Sequence, residues 1–263
     1  MGKLASLVLI GSFVATGCAR NQTDLDSASA AIDSSNSVES EGNVMAAVSD
    51  GADTASLTGP TADQVAAYIA ANISVRFNPS GCGTAVATGA NVVIHFNDCT
   101  GPRGLLHVTG ELDLAISVDT AGIHIHGTAT GLEVNSATLD IDTNATYSVS
   151  GTTKSLTVMT TGTGTGALGN DIDHTGDYTI TWDTTTQCAS IDGSWSTTFS
   201  NTTASATRSN QANVMRCAGG CPTGTLVHTG LRGFTLTVNF DGTAVADWST
   251  STGKSGTFNL TCH

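Results

Sequence analysis

The run ELDLAISVDTAGIHIH, residues 111–126, decides the fold class. Leu112, Leu114, Ile116 and Val118 alternate with Glu111, Asp113, Ala115 and Ser117, and a period of two belongs to a β-strand with one face buried. Asp119-Thr120-Ala121-Gly122 reads as a turn, after which Ile123 and Ile125 return to the apolar side. With the turn at Asp119–Gly122, joining Ile123 and Ile125 to the face of Val118 and Ile116 sets Ile123 opposite Val118, and a slip of one residue would turn every side chain over. That pairing sets His124 opposite Ser117, His126 opposite Ala115 and Asp113 opposite Thr128.

The same pattern extends outward in both directions. From about residue 80 to the C-terminus the chain alternates Thr, Val, Ile and Gly, punctuated by the turn signals DTTT, DG and TSTG. A stretch of this length with turns so closely spaced predicts a dozen or more strands. The expected architecture is all-β: a large antiparallel meander forming a curved open sheet, a sandwich or a partly closed barrel. A single amphipathic helix precedes it in TADQVAAYIAANI, residues 61–73. Thr61 and Gln64 have capping-box spacing, and Val65, Ala66, Ile69 and Ile73 share one face.

The first seventeen residues point to export. Lys3 precedes the apolar run LASLVLIGSFVA, which is too short to span a bilayer, and small residues lead to Cys18. The ending ATGC resembles a bacterial lipobox, in which the cysteine is lipidated and becomes the mature N-terminus. The resemblance implies a signal peptide at 1–17, a palmitate-bearing membrane anchor at Cys18 and, because Ala19 rather than Asp follows, the outer membrane. Residues 18–58 carry seven acids against Arg20 and almost no periodic apolar residues, so they are read as a disordered acidic tether. The third segment, 59–263, is the disulfide-bonded β domain. Its formal charge is −8, which argues against nucleic acid as a partner.

Six cysteines follow Cys18, an even number suited to disulfides in an exported chain. If residues 82–99 form a hairpin turning at Ala90-Asn91, Cys82 falls opposite Cys99, with Ala85 facing Phe96 and Ala87 facing Ile94. Matching the next strand to Ile94 and Phe96 places His95 opposite His107, about 26 Å along the strand from the other two histidines at 3.3 Å per residue. CTGPRGLLHVTGELDLAISVDTAG, 99–122, and CPTGTLVHTGLRGFTLTVNFDG, 221–242, share a cysteine, a His-Thr-Gly or His-x-Thr-Gly spacing and a glycine turn. Either a hairpin unit is duplicated, with His107 matching His228, or similar meanders look alike. Duplication would pair Cys188 with Cys221 and Cys217 with Cys262.

Two stretches invite a metal. His124 and His126 project from one strand face, and imidazole is a common ligand, but the registers bring no third ligand to them. Asp171, Asp173 and Asp177 in DIDHTGD resemble half of a calcium loop, yet Trp182 stands where a bidentate acid would be needed. These five residues are the metal candidates; no cofactor and no catalytic residue is assigned. The chain has no Gly-x-Ser-x-Gly elbow and no His-Glu-x-x-His, and the Thr-Gly run at 160–169 has no lysine to make a phosphate loop.

The lipobox, the tether, the helix and the stretches FNDCTGPRGLLHVTG and VNFDGTAVADWSTSTGKSGTFNLTC together resemble a group of β-rich bacterial lipoproteins without an assigned function. The resemblance implies location and fold and transfers no site residue. The favoured expectation is a non-catalytic cell-envelope module, lipid-anchored, presenting a Thr/Ser-rich sheet face to an envelope protein or glycan. An envelope hydrolase or metal-dependent enzyme with dispersed Asp and His is the first alternative. A carrier of a lipid or other hydrophobic ligand is the second. Few aromatics and no aromatic girdle argue against a transmembrane barrel.

Overall fold

The computed structural model describes residue 45 and residues 59–101, 107–135, 137–166, 169–183, 185–186, 188–200, 206–217, 220–230 and 233–260. Residues 1–17, read above as a signal peptide, and Cys18 and Cys262 lie outside the described residues. The helix α1 (Ala62–Arg76) is followed by β1 (Gly83–Thr88), β2 (Asn91–Thr100), β3 (His107–Val118), β4 (Ile123–Val134), β5 (Ala137–Ser150), β6 (Thr153–Thr165) and β7 (Asp171–Asp183). Then come β8 (Cys188–Phe199), β9 (Ala206–Cys217), β10 (Thr223–Thr229), β11 (Thr235–Asp241), β12 (Val245–Thr250) and β13 (Ser255–Asn259). All thirteen strands form one antiparallel sheet whose spatial order is their order in the chain, with β1 and β13 as its edges. Of the three architectures the pattern allowed, the open meander is the one adopted.

The helix forms where its capping box requires. Thr61 accepts from the Gln64 backbone while the Gln64 side chain accepts from the Thr61 N–H at 2.9 Å, so two otherwise unpaired donors are satisfied. Val65, Ala66, Ile69 and Ile73 are all fully buried, and the face they form lies over β1–β3. Phe77 follows the helix and packs on Phe96 of β2, ring centroids 5.0 Å apart.

Three turns signalled by the sequence are held by an aspartate. Asp119 accepts from the N–H groups of Ala121 and Gly122, Asp183 from Thr185 and Thr186, and Asp241 from Thr243. A carboxylate that accepts backbone N–H bonds two and three residues on replaces the ladder bonds a turn gives up.

One side of the sheet is filled. Ile125 of β4, Tyr147 of β5, Leu156 and Val158 of β6, Tyr178 and Trp182 of β7, Trp195 of β8 and Val214 of β9 are all buried. Tyr147 and Trp182 meet across the intervening β6 with centroids 6.0 Å apart. Among the buried polar side chains, Thr143 Oγ1 lies 2.7 Å from Thr160 Oγ1 and His174 Nδ1 lies 3.0 Å from Thr197 Oγ1. Burial depresses the His174 imidazole to about 4, the hydrogen bond with the Ser196 backbone opposing the shift.

Met45 changes the expected domain boundary. It is fully buried, and its Sδ lies 3.3 Å from where a Cβ on Gly127 would stand, with Leu114 Cδ2 beside it. The missing side chain of Gly127 is what admits it. A residue assigned to the acidic tether of 18–58 therefore belongs to the core, because an apolar thioether gains more from burial than from solvent.

The registers correct several expectations. Cys82 and Cys99 are bonded, yet the β1–β2 hairpin turns at Gly89-Ala90, so Ala85 faces Ile94 and Ala87 faces Val92. Gly89 has φ 58°, the left-handed conformation that a primed two-residue turn requires and that alanine at this position would resist. The bridge still closes because β2 is bulged between Phe96 and Cys99, with Asp98 at φ 50°. The second register is displaced by four residues: His95 faces Glu111, and His107 faces Thr100. The β3–β4 register is as derived, with Ser117 facing His124, Ala115 facing His126 and Asp113 facing Thr128.

The duplicated unit is not a structural one. Gly110 lies within the single strand β3, whereas Gly230 lies between β10 and β11. His107 is exposed and His228 is buried. The pairings built on duplication fail with it: Cys188 is bonded to Cys217, not to Cys221, so Cys217 is unavailable to Cys262. Cys188 and Cys217 face each other across β8 and β9. Cys221 is also disulfide-bonded. Both described bridges join the open ends of a hairpin, opposite its turn, where the strands would otherwise fray.

Candidate functional site

The side of the sheet away from the core is polar, and its side chains form rows across the strands. One row runs from His124 through Thr146, Thr157, Thr179 and Asp192 to Asn213, and a parallel one from Asp142 through Thr161 and Thr175 to Ser196. Neighbours in the rows bond to one another: Thr157 with Thr179 at 3.1 Å, and Thr175 with Ser196 at 3.0 Å. Cross-strand hydroxyl pairs of this kind are a normal source of sheet stability. They also present a regular array of donors and acceptors to whatever lies outside.

A trough of about 320 Å³ opens on this face over β3–β6, lined among others by Ser117, His124, His126, Asn144, Thr146 and Met159. The alternation places both histidines here, since Ile123 and Ile125 turn inward. His124 Nε2 lies 2.9 Å from Asp119 Oδ1 in the β3–β4 turn, while its Nδ1 lies 3.0 Å from Thr146 Oγ1 on β5. His126 Nε2 lies 2.9 Å from Asp142 Oδ1 of β5. The adjacent His124 imidazole, with the Ala121 N–H, holds the Asp119 carboxyl below the usual carboxylate range. A third pair, His95 Nδ1 with Glu111 Oε2 at 2.9 Å, stands on the same side of β2 and β3.

This geometry places the metal candidates. The two imidazoles are partnered by different carboxylates, one at the turn and the other two positions along β5 from the residue opposite, so their Nε2 atoms are directed apart. Asp171, Asp173 and Asp177 are exposed, but they lie along the extended strand β7 instead of around a loop. Alternate residues of a strand stand roughly 7 Å apart, whereas calcium gathers oxygens at about 2.3–2.6 Å from one centre. Among the described residues no group of three or more His, Cys, Asp or Glu is arranged to hold a metal ion.

Asp119, Asp142 and Thr146 were not singled out in the sequence. The signal for the last two was present: ATLDIDTNATYSVS alternates strictly, and carrying the register one strand past β4 sets Thr146 opposite His124 and Asn144 opposite His126. No protein-family model, no curated protein and no solved structure matches the chain.

Proposed function

We propose that the chain is a bacterial cell-envelope lipoprotein, anchored to the outer membrane through Cys18, whose β domain is a non-catalytic binding or structural module. The observation that carries this reading is the open polar face: two rows of Thr, Ser, Asn and Asp run from strand to strand, interrupted by few apolar side chains such as Met159, while every bulky aromatic described on β5–β8 faces the other way. Such a face offers many small donors and acceptors and little apolar area, which suits a hydroxyl-rich glycan or the polar surface of an envelope protein. Two disulfides support an oxidising compartment, since such bonds persist in exported chains and are rare in the cytosol. The acidic charge supports a partner other than nucleic acid.

The anchoring half of the proposal is tested by replacing Cys18. Cys18→Ser is expected to move the protein from the membrane fraction to the soluble fraction, and the wild-type N-terminal peptide is expected to carry lipid by mass spectrometry. Retention of the variant in the membrane fraction would contradict it.

A further inference from the structure

We infer that the polar face of β7 and β8 docks an extended basic segment of an envelope protein, one with lysine or arginine at every second position. This rests on the reading of the domain as a binding module and chooses between the two partners that reading allows. Asp171, Asp173 and Asp177 of β7 and Asp192 of β8 are exposed, and none has a described hydrogen bond or ion pair to its carboxylate. Asp140 and Asp142 of β5 extend the charge two strands further, one accepting the Gly131 N–H and the other 2.9 Å from His126 Nε2. The bases of β5–β9 lie in the other set of registers. Lys154 stands opposite Trp182, Arg208 opposite Thr197 and Arg216 opposite Ala189, and all three partners are buried. The sheet therefore sorts its charge, with no lysine or arginine in the registers of the polar face among the described residues of these strands.

Neutral side chains separate the carboxylates across the ladders. Asp171 faces Thr165, Asp173 faces Thr163 and Thr198, Asp177 faces Met159 and Ser194, and Asp192 faces Thr179 and Asn213. Direct opposition of like charges, which would cost stability, is avoided, while the field of the face stays negative. Alternate residues of a strand repeat at about 7 Å, so Asp171 and Asp173 stand one step apart and Asp177 two steps beyond, with Thr175 between. A second extended chain has the same repeat, and basic residues at its alternate positions would meet these carboxylates in sequence. Met159, 56% exposed and opposite Asp177, offers apolar surface to the alkyl stem of a lysine. A neutral glycan would use the hydroxyl rows and leave the carboxylates without a partner of opposite sign.

The test measures, by fluorescence anisotropy, binding to the full chain of a peptide of alternating lysine and threonine, beside one of the same composition with its lysines in a single block. The alternating peptide is expected to bind more tightly, and its affinity should fall as salt is raised. Asp171→Asn, Asp173→Asn and Asp177→Asn together should weaken it roughly tenfold, the combined effect of three exposed ion pairs. Asp24→Asn, Asp26→Asn and Asp33→Asn together change the net charge equally and should leave the affinity within about twofold. Equal losses in the two triple variants, or equal binding of the two peptides, would overturn the inference. Binding of a neutral oligosaccharide without binding of either peptide would also overturn it, while leaving the reading as a binding module in place.

Discussion

Truncating Tyr147 to alanine is expected to destabilise the domain by about 3–5 kcal/mol, the usual cost of removing a large aromatic side chain from a packed interior. Tyr147 is 1% exposed on the filled side of β5, an interior strand of the sheet, and its ring lies 6.0 Å from that of Trp182 of β7. Its cross-strand neighbours Ile123 and Leu156 are held in the ladders of β4 and β6, which limits how far the site can collapse. In a domain of this size the loss corresponds to a fall in Tm on the order of 10 °C. The control is Val149→Ala, two residues along the same strand and 52% exposed, which should change stability by about 0.5 kcal/mol or less. A Tyr147→Ala protein as stable as that control would show that this side of β5 is not the core.

Acidification from pH 7 to pH 5 is expected to cost about 2 kcal/mol through His174 alone. Its folded-state pKa is held at about 4, against 6.5 for the ordinary side chain, by burial. Between those values the unfolded chain binds the proton and the folded chain does not. Stability is therefore complete above the unfolded value and is lost as pH falls towards the folded one. Asp119, Asp183 and Asp241 have lowered pKa values through hydrogen bonds at their turns, led by His124, Thr152 and Thr243 respectively. Their contribution persists above the ordinary carboxylate value of 3.8 and is lost only in stronger acid, outside this window. Urea denaturation at the two pH values should show the drop in the wild-type protein and a much smaller one in His174→Gln. An unchanged pH dependence in that variant would assign the effect elsewhere.

What could be read in the sequence was whatever a local rule governs. The α1 face of Val65, Ala66, Ile69 and Ile73 follows from helical spacing and the capping box, and the β3–β4 register follows from a short turn between two clear alternations. What could not be read depends on distances the alternation leaves free. A period of two fixes which face Ile94 and Leu112 occupy but tolerates a slip of four residues, and the bulge at Asp98 shifts the ladder further. Cys82–Cys99 forms although the hairpin turns one residue earlier than the sequence predicts, because the bulge at Asp98 brings Cys99 back to Cys82. Cys188–Cys217 is not legible in composition, because segments of similar composition at 99–122 and 221–242 need not be a structural repeat; the two cysteines sit at the open ends of one hairpin. Met45 carried no periodic signal at all. Its burial depends on Gly127, a position far along the chain whose missing side chain makes the space.

The candidate site was half legible for the same reason. His124 and His126 announce themselves by spacing, but Asp119, Asp142 and Thr146 reach them from a turn and a neighbouring strand. Their significance is visible only when three strands are set side by side.

Hydroxyl-radical footprinting tests most directly the claim that one face of the meander is a sealed core and the other an open polar surface available for binding. Met159 and Met215 are 56% and 45% exposed and should be oxidised rapidly, with His126 following. Met45, Tyr147, Tyr178 and Trp195, all 4% exposed or less, should remain protected until the domain unfolds. Oxidation of Met45 or Trp195 in the folded protein as fast as Met159 would mean that the face described as core is open, and the surface proposed to bind a partner would then be the wrong one.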